Sequence, residues 1–295
     1  MKHAAPDAEQ ITRASKSNLA LAFIALPRER RRDISVFYAF CRVVDDIADD
    51  PREPVAARRA ALDRWRASLA GPLGYEPELA VSVRELMAKY QLPVEHFLEI
   101  IAGVEMDLIG TVFESFSDLR LYCHRVASVV GLVSIEIFGY HDPACRLYAT
   151  ELGLALQLTN ILRDVGQDYA NEGRIYLPRA DMDACGYSIG ALALRQHDEK
   201  FVTLMNFEAS RAVGFYRSAE AVLPPSERAS MAAAEIMRSI YWHLLNRMQR
   251  DHFQVFTKRY RLSLLEKAWC IGRVLIATRF RPASAASGSD ESKEL

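Results

Sequence analysis

The sequence predicts an all-α, single-domain helical bundle. Long stretches are rich in Ala, Leu, Arg, Glu and Met, the strong helix formers. Prolines fall between those stretches, where they punctuate helices instead of breaking them. Period-two alternation, the mark of strands, is scarce. In chain order the pattern places helices at 13–25, 29–49, 55–70, 78–90, 94–109, 117–139, 143–167, 198–221, 226–251 and 262–280. Pro27 separates the first two, and Pro51 with Pro54 closes the second. Pro72 and Pro77, Pro93, Pro143, Pro178 and the Pro224-Pro225 pair punctuate the rest. The least regular stretch is 168–197, which holds Gly173, Pro178, Gly186 and Gly190. Its first part, 168–180, reads either as a lid or as an ordinary surface loop.

The 295 residues lie near the upper limit for one hydrophobic core, and no linker divides the body. A single unit over 13–280 is expected, with a flexible start at 1–12. The tail 281–295 lacks core-forming residues and is expected to be disordered. A net charge of −1 provides no global field for nucleic acid, so no nucleic-acid partner is expected. Five scattered cysteines without a C-x-x-C pair read as a reducing compartment, with neither a disulfide framework nor a thiolate metal site. The first ten residues are polar and carry no apolar signal region. No uninterrupted apolar run reaches the ~20 residues of a membrane span; the nearest, Val126 to Tyr140, carries Glu136 and reads as a core helix. A cytoplasmic protein is the expectation.

Chemistry concentrates in two acidic stripes. At ~3.6 residues per turn, Tyr38, Arg42, Asp45 and Asp49 share one helix face, with Asp46 at its edge. Carboxylates one turn apart repel, and acids near a helix C-terminus oppose its dipole. Both costs call for a cation, and magnesium takes hard oxygen ligands while bridging carboxylates to phosphates. A solvated acidic helix end would read the same way. The second stripe is Gln157, Asn160, Asp164 and Asp168, spaced 0, 3, 7 and 11 on one face. Leu154, Leu158, Ile161, Leu162 and Val165 occupy the other faces. A polar stripe on an otherwise apolar helix points to a polar cavity inside a bundle, and an ordinary amphipathic surface helix would show the same stripe. Asn160 would supply a neutral ligand, and Arg163 lies off the stripe but reaches a diphosphate with its long fork.

Three segments carry a resemblance: QLTNILRDVGQDYANEGRIYLP at 157–178, YAFCRVVDDIAD at 38–49 and YCHRVASVVGL at 122–132. With them the chain resembles, over about 14–280, the squalene/phytoene synthase family, whose members join two prenyl diphosphates head to head. The resemblance implies an isoprenoid-synthase helical bundle with a central cavity. It implies Mg2+, as two or three ions, held by Asp45, Asp49, Asp164 and Asp168, with Asp46, Asn160 and Gln157 in support. Arg42, Arg163 and Arg174 would bind diphosphate oxygens, with Tyr176, Ser15 and Ser17 beside them. Phe23, Tyr38, Tyr122, Val126, Val130 and Tyr241 would line the prenyl cavity and face the carbocation.

The segments AEIMRSIYWHLLNRM at 234–248 and FTKRYRLSLLEKAW at 256–269 look most like the bacterial presqualene diphosphate synthases of squalene and hopanoid pathways. Two farnesyl diphosphates would then be the substrates, with other pathway enzymes as partners. The runner-up is a phytoene synthase using geranylgeranyl diphosphate. A squalene synthase would also require NADPH for the reduction. A terpene cyclase and a non-catalytic helical relative are the more distant alternatives.

The histidines share no metal-ligand spacing, and the tryptophans read as packing. The basic run Arg28 to Arg32 reads as a solvated helix start or as a contact for anionic lipid. Leu262 to Phe280 mixes apolar residues with Lys267, Arg273 and Arg279. It would either dock on the bundle or lie peripherally on the inner face of a membrane.

Overall fold

In the computed structural model, which describes residues 21–279, helices are joined by short loops, with no strand among the described residues. The helices are α1 (Arg28–Asp49), α2 (Val55–Ala70), α3 (Ala80–Tyr90), α4 (Val94–Leu108), α5 (Phe116–Phe138), α6 (Ala144–Glu172), α7 (Arg179–Ala184), α8 (Ile189–Ala193), α9 (Glu199–Val222), α10 (Ala232–Arg250) and α11 (Leu264–Arg279). Short 3-10 turns sit at Phe23–Ala25 and Pro225–Glu227. Ser15, Ser17, the start at 1–12 and the tail at 281–295 lie outside the described residues.

The rotation of α1 follows from its aromatic residues. Phe37 and Phe40 are buried against Phe97 of α4, at centroid separations of 5.7 and 5.2 Å, and Phe40 meets Trp65 of α2 edge-on at 5.2 Å. Each aromatic pair adds about 0.5–1.5 kcal/mol beyond its buried area. Locking that face inward against α2 and α4 turns the opposite face, with Tyr38, Arg42, Asp45 and Asp49, toward the middle of the molecule. The long α6 is set by the same logic. Leu154, Leu158, Ile161, Leu162 and Val165 are all buried, and the buried Thr159 hydroxyl lies 3.0 Å from the Tyr216 hydroxyl of α9.

The C-terminal half of the bundle departs from the sequence reading in two places. The 143–167 helix runs on to Glu172, past its expected end, which carries Asp168 on α6 as its place in the stripe requires. It stops where Gly173 takes a positive φ of 67°, a conformation that glycine adopts without a Cβ penalty. The stretch after it is not a free loop. Arg179 and Ala180 donate backbone hydrogen bonds to the carbonyls of Phe113 and Glu114, at 2.9 and 3.1 Å, before two short helices carry the chain to α9. The start of the expected 226–251 helix is also displaced: α10 begins only at Ala232, because Pro224 and Pro225 impose a 3-10 turn first.

By length and composition α5 is the one helix among the described residues that is long and apolar enough to cross a membrane, and half of its most apolar window is buried in the bundle. Much of its apolar surface belongs to the core and to the central cavity. A π-helical turn at His124–Ser128 interrupts it. There it crosses α6 at close range: a Cβ on Gly153 would lie 2.5 Å from the Ser128 Cα, and one on Gly131 2.9 Å from the Ala149 carbonyl oxygen.

Candidate active site

A cavity of about 290 Å³ runs between α1, α5, α6 and α10. Its walls are apolar: Val126, Val130, Ile135, Phe138, Leu152, Leu156 and Met237. Tyr38, Gln157, Asn160 and Tyr241, all singled out from the sequence, mark its polar end. Two other expected lining residues stand elsewhere. Phe23 is buried outside the cavity wall, packing edge-on against Tyr38 at 6.3 Å. Tyr122 is buried in an aromatic stack, for the reason given below, and does not line this cavity.

Beyond the polar end the two acidic stripes approach each other. Arg174 of the segment after α6 reaches across to α1, with its Nη1 2.8 Å from Asp49 Oδ1. Arg42 binds Asp45 at 3.1 Å and Asp46 at 2.5 Å. Arg163 forks onto its neighbour Asp164, at 2.9 and 2.5 Å. Asp46 turns away from the others, into an outer groove that it shares with Asp50 and Glu53. The sequence put three arginines beside these acids to hold a ligand; in the structure each of the three holds a carboxylate.

The crowding shows in the electrostatics. Burial, then the charge of Asp49, push Asp45 up to about 7 against the partial relief of Arg42. Burial, then Asp164, push Asp168 up to about 7, with Arg174 opposing. Asp107 acts on both, and this residue escaped the sequence reading. It lies in the last turn of α4, where it accepts hydrogen bonds from Tyr122 at 2.8 Å and Tyr176 at 2.6 Å. Those two rings stack at 5.2 Å, and Phe113 packs beside both. Burial raises the Asp107 carboxyl, while the two hydroxyls lower it. The signal was present in the sequence. An acid at the C-terminal end of a helix, next to the buried Val104 and Leu108, carries the same dipole cost that flagged Asp45 to Asp50.

The donors fit a hard divalent cation. They are carboxylate and amide oxygens, and the Oδ1 of Asn160 is buried without a hydrogen-bond partner. Such an orphan costs about 1–3 kcal/mol unless something binds it. Among the described residues no three His, Cys, Asp or Glu side chains close on one point. Magnesium does not need such a cage, because it typically uses one or two carboxylates and completes its shell with substrate phosphates and water.

A family model described as squalene/phytoene synthase matches residues 12–266. The chain belongs to the squalene/phytoene synthase family. It is therefore a prenyltransferase of the kind that condenses two isoprenyl diphosphates head to head. Relatives in this family include a phytoene synthase of Mycobacterium tuberculosis, 35% identical over 263 residues, covering 88% of this chain and 86% of that one. A presqualene diphosphate synthase of Zymomonas mobilis is 33% identical over 273 residues, covering 91% and 92%. Among solved structures, a dehydrosqualene synthase bound to a ligand superposes with a TM-score of 0.78 at 27% identity, covering 92% of this chain and 95% of its own. The squalene synthase HpnC of Alicyclobacillus acidocaldarius gives a TM-score of 0.72 at 28% identity, covering 83% and 93%. The squalene/phytoene synthase architecture thus accounts for the all-helical fold.

Proposed function

We propose that this squalene/phytoene synthase homologue joins two farnesyl diphosphates, with Mg2+, into presqualene diphosphate. The observation that carries the proposal is the meeting of the α1 and α6 acid faces beyond the polar end of an apolar cavity. Bound there, Mg2+ would neutralise the diphosphate as it leaves, with Asp45, Asp49, Asp164, Asp168 and the Asn160 amide as its holders and Asp46 outside them.

The protein's own groups do the rest. Arg42, Arg163 and Arg174 exchange carboxylates for diphosphate oxygens and stabilise charge that develops on the leaving group. The C1–O bond of one farnesyl diphosphate breaks, and its allylic cation faces Tyr38 and Tyr241. Such aromatic contacts contribute about 0.5–2 kcal/mol each. The apolar walls exclude the water that would quench the cation to an alcohol. The C2=C3 double bond of the second molecule attacks C1, and loss of a proton closes the cyclopropane. Diphosphate and a proton are released, and the second diphosphate stays on the product.

Cavity length supports farnesyl chains. The α6 wall from Asn160 to Ala149 measures about 16 Å at 1.5 Å per residue, and Phe138 and Tyr148 stand at its far end. That depth suits three isoprene units better than four. The relatives bear both names, so the product decides. With farnesyl diphosphate and Mg2+ alone, mass spectrometry should find a thirty-carbon diphosphate. A forty-carbon hydrocarbon from geranylgeranyl diphosphate would make the chain a phytoene synthase. Squalene formed only with NADPH would add the reduction, and a fifteen-carbon cyclic product would replace the reading altogether. Asp45→Ala and Asp164→Ala should each abolish turnover at unchanged helicity; wild-type activity in either would remove the metal assignment.

A further inference from the structure

Most of the outward face of α11 is uncovered by any other element among the described residues. Leu264, Leu265, Trp269 and Ile276 are 78%, 83%, 53% and 60% exposed, and Leu275 is exposed beside them. At about 100° per residue these side chains, with Ala268 and Gly272 between them, fill one arc of about 140°. The opposite side of the helix, with Cys270 and Val274, packs on the bundle. Exposed apolar residues elsewhere are scattered; here five lie side by side on one helix, the pattern of an interaction site.

Charge says what covers it. Residues 258–279 hold six basic side chains, Lys258, Arg259, Arg261, Lys267, Arg273 and Arg279, against one acid, in a chain of net charge −1. That acid, Glu266, is already paired with Arg247, and of the six bases Lys258 is paired with Asp251. An open groove of about 570 Å³ adjoins the edge of the apolar arc, lined by Trp242, His243, Asn246, Gln249, Arg250 and Arg273. No carboxylate lines it, and both arginines are exposed. Trp269 joins the two features. Its ring stands edge-on to His243 at 5.3 Å, and the Arg273 guanidinium lies 5.1 Å over its face. A cationic groove beside an apolar face, with a tryptophan at the boundary, matches the layering of a phospholipid surface. The sequence that follows, 281–295, offers a single large apolar side chain, Leu295, and so is a poor cover.

We propose that α11 docks on an anionic bilayer, with lipid phosphates entering the Arg250–Arg273 groove and Leu265, Trp269 and Ile276 entering the acyl boundary. The inference is independent of which prenyl diphosphate the enzyme uses.

The test is flotation of the full chain with phosphatidylcholine vesicles, with and without phosphatidylglycerol. The protein should float with the anionic vesicles, sediment with the neutral ones, and lose binding as salt rises. Leu265→Glu with Ile276→Glu should remove flotation. Arg250→Gln with Arg273→Gln should weaken partition roughly thirtyfold, about fivefold per cation. Both double variants should retain wild-type helicity. Three results would overturn the proposal: a wild-type chain that ignores anionic vesicles, a Leu265/Ile276 variant that floats as well as wild type, or a wild-type dimer that the same variant splits, which would give the face to a second copy.

Discussion

Asp107 holds two tyrosine hydroxyls with one carboxylate, and those tyrosines come from different parts of the chain, α5 and the segment after α6. Replacing it with Asn leaves the shape and removes the charge that orders both donors. The expected result is a fall in kcat of roughly a hundredfold from misplaced groups at nearly unchanged KM, with about 1–3 kcal/mol of stability lost because Asn has one acceptor oxygen for two hydroxyls. Steady-state kinetics beside a thermal melt checks it; a proportionate rise in KM would mean that Asp107 acts in binding. The paired acids make a prediction in pH. Asp45 and Asp168 have folded pKa values near 7, above the ordinary 3.8. A carboxyl raised on folding lets the unfolded chain ionise first, so the folded state loses stability as pH rises from about 4 to about 7, and the loss is complete above that. Without divalent ions the melting temperature should carry this decline, and Asp45→Asn with Asp168→Asn should flatten it. Mg2+ at pH 8 should restore stability to the wild type and not to the double variant. Equal stabilisation of both would place the ion elsewhere.

Helices, not loops, carry nearly every group in this site, and their rotation decides what each stripe meets. On α1 the controlling contacts lie behind the acids, at Phe37 and Phe40 against Trp65 and Phe97. Phe40→Ala should cost about 3–5 kcal/mol and should also lower kcat, because the acid face loses its fixed heading. A denaturant melt with kinetics on the surviving folded fraction separates the two effects. The crossing of α5 and α6 is less forgiving. A methyl group at Gly153 would sit 2.5 Å from backbone, which cannot step aside as a flexible side chain would, so Gly153→Ala should destabilise more than most single changes. Both acidic helices were legible in the sequence because spacing alone reports a shared face. Three things needed the structure. Asp107 carries a helix-end signal in the sequence, but only tertiary packing brings it to the other acids. Asp168 falls on the stripe by spacing, but the end of α6 at Glu172 depends on the Gly173 reversal. The arginines revealed their charge but not their present partners, since a long side chain reaches several positions from one Cα.

Across the whole molecule, one core continues from the aromatic cluster of α1, α2 and α4 through the cavity walls to α9 and α10. Fold class was readable, because the long helices announce themselves locally by composition and punctuation; the short helices at 179–184 and 189–193 did not. Cavity depth was not, because it depends on which bulky side chains from α5, α6 and α10 converge at the far end. Phe138 is one of them. Phe138→Ala should lengthen the hollow, raise the use of geranylgeranyl over farnesyl diphosphate in a competition assay, and cost about 3–5 kcal/mol of stability. Unchanged selectivity would show that Phe138 is not the stop. The π-helical turn at His124–Ser128 has a wider bearing. Such a turn accommodates one residue more than an α-helical turn does, so it works as a phase setting for everything after it on α5. Val130, Ser134 and Phe138 line the hollow because the wide turn absorbs that extra residue instead of passing it on. Straightening the turn into α-helix at unchanged length would rotate the remaining stretch by about 100°, turning the lining toward its neighbours, whereas deleting one residue of the turn should let it relax to α-helix with the phase kept. The size and polarity of the reaction chamber are thus governed from a five-residue segment, and relatives could acquire new chain-length preferences by shifting that phase without altering a single acid.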